Sequence, residues 1–211
     1  MPQEFSSTAS MALVRLGRRL QEFAVRRRIK LNRVILVFIL VFLAHPKNHI
    51  FFGVGFMAGL IGALIRIWSK VIMEPSGGGL PNTGPYRLVR HPMYLGTIAQ
   101  GLGIWAACLS FGRFFSFCFL GVVLAIYFLV VYREAIVVEE ERLAERSPQE
   151  WEEYVARTPA LIPRKESLTH FSWSDIGQLD FRRLKHSTEG RNFLALLGVF
   201  AFLWFKLVYR L

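Results

Sequence analysis

Cysteine is scarce in this sequence. Its two residues, Cys108 and Cys118, both sit in apolar stretches and at no metal-ligand spacing. That argues against a disulfide framework or a cysteine-based metal site and leaves both thiols as apolar filling. No Ser/His/Asp or Cys/His arrangement is present, so nothing points to a covalent nucleophile. The first thirty residues lack a compact apolar core followed by a small-residue cleavage site, and a secretory signal is not expected. Internal repeats are absent. Acidic residues are in the minority, 15 against 26 Lys and Arg, for a net charge of +11.

What is abundant is apolar. Hydrophobic residues make up 53% of the chain and the mean hydropathy is +0.36, values ordinary for a small multispanning membrane protein. Ile50–Trp68 is the clearest span; at about 1.5 Å per residue it reaches roughly the 30 Å hydrocarbon thickness. Met93–Ser110 and Phe114–Tyr132 form a second pair, separated by Phe111-Gly112-Arg113, and Phe193–Val208 is a final segment. Val34–Ala44 is purely apolar but short, and completes a fifth span over about 34–48 if its polar flanks lie in the interfaces. The expected fold is therefore an all-α, multispanning helical bundle with a helical segment outside the bilayer.

Charge sets the expected orientation. Arg15, Arg18, Arg19, Arg26, Arg27, Arg28, Lys30 and Arg33 precede the first span, opposed only by Glu4 and Glu22. The positive-inside rule places this end in the cytoplasm. Five spans then put the Lys70–Arg90 connector and the Arg133–Arg191 region on the same side. Topology and anionic lipid headgroups account for the basic arm, residues 1–33, without nucleic acid as a partner. Glu74–Pro85, rich in Gly and Pro, is a loop. Residues 133–158 continue the fourth span as a polar helix closed by Pro159 and Pro163. The segment 164–192 mixes Phe171, Trp173 and Phe181 with Arg182, Arg183 and Lys185, as suits a cytoplasmic or membrane-surface stretch before the last helix, 193–211.

Two clusters carry chemistry. Gly84-Pro85-Tyr86-Arg87-Leu88-Val89-Arg90-His91-Pro92-Met93-Tyr94-Leu95-Gly96 packs cations and aromatics against the start of a span. Pro92 suits the first turn of a helix, whose dipole and free N–H groups favour a carboxylate or phosphate beside Arg87, Arg90 and His91. Gly96, Gly101 and Gly103 follow; helix packing explains them more simply than ligand contact. The second cluster is Glu139-Glu140-Glu141-Arg142-Leu143. At about 100° per residue, Arg133 and Glu140 share a face, while Glu139 projects with Tyr132 and Leu143. A span hairpin returns the chain to one membrane face, so the cationic turn and the acidic helix are expected to face each other across a cleft suited to a zwitterion with hydroxyls.

TGPYRLVRHPMYLG, a span pair, and EEERLAERSPQEWEEYVARTPALIP, together covering about Pro81–Pro163, resemble the membrane methyltransferases that include isoprenylcysteine carboxyl methyltransferases and phospholipid N-methyltransferases. The resemblance implies S-adenosylmethionine as cofactor. It places Tyr86, Arg90, His91, Pro92, Tyr94, Glu139, Glu140 and Leu143 around it, with Tyr154 and Pro159–Pro163 closing the pocket and a lipophilic acceptor entering from the bilayer. His91, Glu140 and Arg133 are the expected reacting-centre residues, with Arg133 and Tyr154 on the acceptor side. Ser147-Pro148 stands where the family usually has Phe-Gly, and Ala160 where a basic residue is frequent; both departures bear on the acceptor. The alternatives are an NADPH-dependent membrane sterol-type reductase, which shares a W-x-x-Y…P ending (Trp151, Tyr154, Pro159), and a non-enzymatic lipid-binding membrane protein.

Overall fold

The computed structural model describes residues 45–72, 80, 83–110, 114–169, 182–185 and 187–210. The basic arm, residues 34–44 of the 34–48 span, most of the Gly/Pro loop, and Phe171, Trp173 and Phe181 lie outside these residues. Among the described residues every regular element is helical: α1 His49–Ile72, α2 Pro85–Leu88, α3 Pro92–Ala107, α4 Phe114–Tyr127, a π-helical turn Phe128–Tyr132, α5 Arg133–Arg146, α6 Pro148–Arg157, α7 Lys165–Thr169, α8 Arg182–Lys185 and α9 Glu189–Tyr209.

Asn48 caps α1, its Oδ1 accepting the Ile50 and Phe51 amides at 2.8 and 3.3 Å. The helix then presents two faces. Ile50, Val54, Met57, Ile61 and Leu64 recur every three or four residues and are all more than half exposed. A continuous apolar stripe of that size is stable in hydrocarbon and not in water. The opposite face carries Gly55, Gly59 and Gly62, pressed against Gly96 and Gly103 of the antiparallel α3. A Cβ built on Gly62 would lie 2.5 Å from the Gly96 carbonyl, and one on Gly103 2.5 Å from the Gly55 carbonyl. Backbone thus packs on backbone, the small-residue solution to helix association in lipid. Gly101 instead makes room for Phe128 of the π turn. All three α3 glycines serve helix packing.

The core between α1, α3, α4 and α9 is built from Phe52, Ile104, Leu124, Phe200 and Leu203 with their neighbours. Phe200 meets Phe56 edge-to-face at 5.2 Å. Trp105 stacks on Phe117 at 4.3 Å and donates its indole N–H to the Phe117 carbonyl at 2.9 Å, closing the α3–α4 hairpin.

Among the described residues three helices are long and apolar enough to cross a membrane: His49–Ile72, the continuous stretch Phe117–Arg146, and Glu189–Tyr209. The protein is an integral membrane protein. The boundaries differ from those expected. The third expected span folds as the 16-residue α3; at about 1.5 Å per residue that is roughly 24 Å, short of the hydrocarbon thickness. The fourth continues past Tyr132 as expected, the π turn carrying the helix into α5. The polar helix expected over 133–158 is two helices. Pro148 has no N–H to donate, and Ser147 leaves helical geometry at φ −144°, ψ 71°.

Candidate functional site

The site gathers where the start of α3 meets the middle of α5. Gly84, at φ 57°, turns the chain so that α2 folds onto the end of α1; a Cβ there would strike Ile72. Val89 is extended, and His91 is the N-cap of α3 with Pro92 in its first turn, as the sequence predicts. The chain after α6 lies alongside: the Arg90 amide donates to the Pro159 carbonyl at 2.8 Å and the His91 amide to that of Ala160 at 3.0 Å. Tyr154, buried on α6, donates its hydroxyl to the Tyr86 carbonyl at 2.9 Å. The RHP turn is thereby sewn to the PALIP segment by backbone before any side chain is considered.

The side chains then converge on α5. Arg90 Nε and Nη2 reach Glu140 Oε1 at 2.9 and 2.8 Å, and its Nη1 donates to the Thr158 carbonyl at 2.6 Å. Its guanidinium lies 5.7 Å from the Trp151 ring centroid, a cation–π distance. His91 Nε2 stands 3.0 Å from the same Glu140 oxygen, and must carry the proton in that bond, since a carboxylate has none to give. His91 Nδ1 lies 3.7 Å from Glu139 Oε2, and the Tyr94 hydroxyl hydrogen-bonds the Glu139 carboxylate. The Glu139 side chain is 38% exposed where Glu140 is 25% and His91 2%. Glu139 is thus the more exposed of the two acids.

Aromatics line the flank. The Tyr94 ring is 5.7 Å from His91 and meets the buried Tyr132 edge-on at 5.2 Å. Burial first, then the Glu139 carboxylate, pushes the Tyr86 phenol well above its usual range. Burial likewise raises that of Tyr154, against the lowering effect of Arg90. Both act as neutral hydroxyls.

These contacts revise several expectations. The cationic turn and the acidic helix do not stand apart across a cleft: Arg90, His91 and Glu140 touch, because a guanidinium only 11% exposed is costly without a carboxylate beside it. Arg90 is fully committed to Glu140, Thr158 and Trp151, so it fastens walls. Tyr154 is an internal tie, buried with its hydroxyl spent on Tyr86. Leu143 is half-buried on α5, and its carbonyl accepts the Ser147 amide. Arg133 is exposed, and among the described residues it makes no hydrogen bond or ion pair with the cluster. Trp151 and Thr158 escaped the sequence reading as partners of Arg90, although Trp151 belongs to the quoted W-x-x-Y.

Comparison with known proteins covers the same elements. Residues 50–145, from the start of α1 to the end of α5, match the model of the isoprenylcysteine carboxyl methyltransferase (ICMT) family. The chain is 31% identical over 158 residues to the cobalt-zinc-cadmium resistance protein CzcN of Cupriavidus metallidurans, an alignment covering 71% of this chain and 69% of that protein. It is 29% identical over 154 residues to the nickel-cobalt-cadmium resistance protein NccN of Alcaligenes xylosoxydans xylosoxydans, covering 69% and 68%. No solved structure matches. The chain belongs to the isoprenylcysteine carboxyl methyltransferase family.

Proposed function

We propose that this protein is an integral membrane methyltransferase that uses S-adenosylmethionine to methylate a lipophilic acceptor. The observation that carries the reading is the junction of the RHP turn with the Glu139-Glu140 pair, which lies inside the family-matched segment. Its donor set suits the cofactor. A partly exposed carboxylate, Glu139, can take an ammonium or a pair of ribose hydroxyls, and the Tyr94 ring offers a π face to a sulfonium or adenine. The start of α3 adds a helix dipole that favours the amino-acid carboxylate.

When bound, S-adenosylmethionine supplies a methyl group on a sulfonium, and in-line transfer releases a neutral thioether. The residues therefore have to align two reactants and exclude water, and no covalent nucleophile is needed. Glu139 holds the cofactor's polar end, while His91 and Arg90 keep Glu140 and the two adjoining segments fixed. Arg133, exposed about two turns before the acidic pair, meets an anionic acceptor headgroup at the membrane surface. The acceptor is a prenylcysteine-type carboxylate or a phospholipid-type amine, reached from the lipid. Five spans, with α3 crossing as a short one and the N-terminus and this site in the cytoplasm, complete the arrangement. The relatives' names state resistance to metals and no reaction, so they leave methyl transfer in place.

Thermal stabilisation of purified protein by S-adenosylhomocysteine but not by NADPH supports the reading. Stabilisation by NADPH alone overturns it in favour of a reductase, and stabilisation by neither in favour of a non-enzymatic lipid-binding protein.

A further inference from the structure

A second charged cluster lies deeper in the bundle. Arg66 of α1 and Glu189, which opens α9, are 5% and 4% exposed and form a bidentate pair, Nε to Oε2 at 2.9 Å and Nη2 to Oε1 at 2.7 Å. The remaining guanidinium nitrogen, Nη1, donates to the Thr97 hydroxyl and to the Met93 carbonyl, the latter at 3.3 Å. Thr97 itself donates to the same carbonyl at 2.9 Å. Gly96 leaves the room: a Cβ there would stand 2.7 Å from Arg66 Cγ.

Ionisable side chains inside an apolar bundle are costly to bury, and an apolar pair of similar size would join α1 to α9 at least as well. An apolar pair could not hold the first turn of α3. Met93 is two residues beyond His91, whose own carbonyl accepts the Tyr94 and Leu95 amides. A donor fixed on Met93 and Thr97 therefore fixes the turn that aims His91 at Glu140. We propose that Arg66 and Glu189 are positioning residues that couple α9 to the RHP turn and keep His91 in register with the acidic pair of α5. α9 lies beyond the family-matched segment, yet on this account it belongs to the working unit. The link to catalysis rests on the methyltransferase reading; the link to His91 geometry does not.

The test uses the full chain in detergent micelles with ¹⁵N-labelled histidine, the His91 ring signals being identified by their loss in His91→Gln. The double variant Arg66→Met/Glu189→Leu is expected to unfold at a temperature near that of the native protein. Its His91 signals should move, and its affinity for S-adenosylhomocysteine should fall about tenfold or more, as small misplacements in aligned sites do. A folded double variant with unmoved His91 signals overturns the proposal and leaves the pair a packing element. If that variant does not fold, Thr97→Val removes the hydroxyl acceptor at nearly constant volume; the same signals should shift, and their constancy overturns the proposal. If the native protein itself gains no stability from S-adenosylhomocysteine, the methyltransferase reading fails, while the His91 signals still decide the positioning role.

Discussion

Replacing Glu140 by Gln removes the charge that Arg90 and His91 share, at nearly unchanged volume. Arg90 keeps the Thr158 carbonyl and the Trp151 face, but a guanidinium 11% exposed loses its carboxylate partner. Breaking a fully buried pair costs about 3–5 kcal/mol, and a single hydrogen bond to a charged group contributes about 1.5–3. Because the Glu140 side chain is one-quarter exposed, water compensates in part, and the expected loss is about 2–3 kcal/mol. For a chain of this size that corresponds to a fall in Tm of roughly 4–12 °C. The control is Glu141→Gln, an exposed neighbour one position along, which should change stability by less than about 0.5 kcal/mol. Thermal unfolding of the two variants side by side in one detergent makes the comparison. Equal melting temperatures would refute the claim that Glu140 joins the RHP turn to α5.

Other outcomes follow from the same structure. Gly103→Val forces side-chain atoms against the Gly55 carbonyl and should destabilise by about 1–3 kcal/mol or more, whereas Gly53→Ala, which meets nothing within 4 Å, should be neutral or slightly stabilising; thermal unfolding separates them. Tyr154→Phe leaves the Tyr86 carbonyl without its donor and should cost about 1–2 kcal/mol in the same measurement. The Tyr86 phenol, raised above its unfolded value, contributes stability fully present below about pH 10 and lost as pH rises toward its folded value. Melting temperatures taken from pH 8 to above 10 should therefore fall less steeply in Tyr86→Phe than in the native protein; parallel curves would contradict the assignment. Glu139→Ala should weaken S-adenosylhomocysteine binding at least as much as Arg133→Ala does, read by titration of the purified protein.

Much of this was legible in the sequence because the signals are local. Pro92 marked the start of α3, and the apolar runs marked α1 and α9 to within a few residues. The RHP and acidic blocks also carried the family resemblance. What was not legible depends on geometry that no window of residues contains. The π turn at Phe128–Tyr132 changes the angular bookkeeping along the fourth helix, so positions before it cannot be projected onto faces after it. Direct contact between Arg90 and Glu140 follows from where α5 passes the turn that precedes α3, which span counting leaves open. Arg66 was the missed signal that should have been found: a lone cation within Ile50–Trp68 calls for a buried acid, and Glu189 stands at the head of the last apolar helix.

The central claim is methyl transfer at the junction of the RHP turn and the acidic helix. Membranes containing the protein, incubated with methyl-labelled S-adenosylmethionine and lipid extract, test it most directly. The account predicts label in the lipid fraction with the native chain and its loss in both His91→Ala and Glu140→Ala. Labelling that persists unchanged in both variants would contradict it.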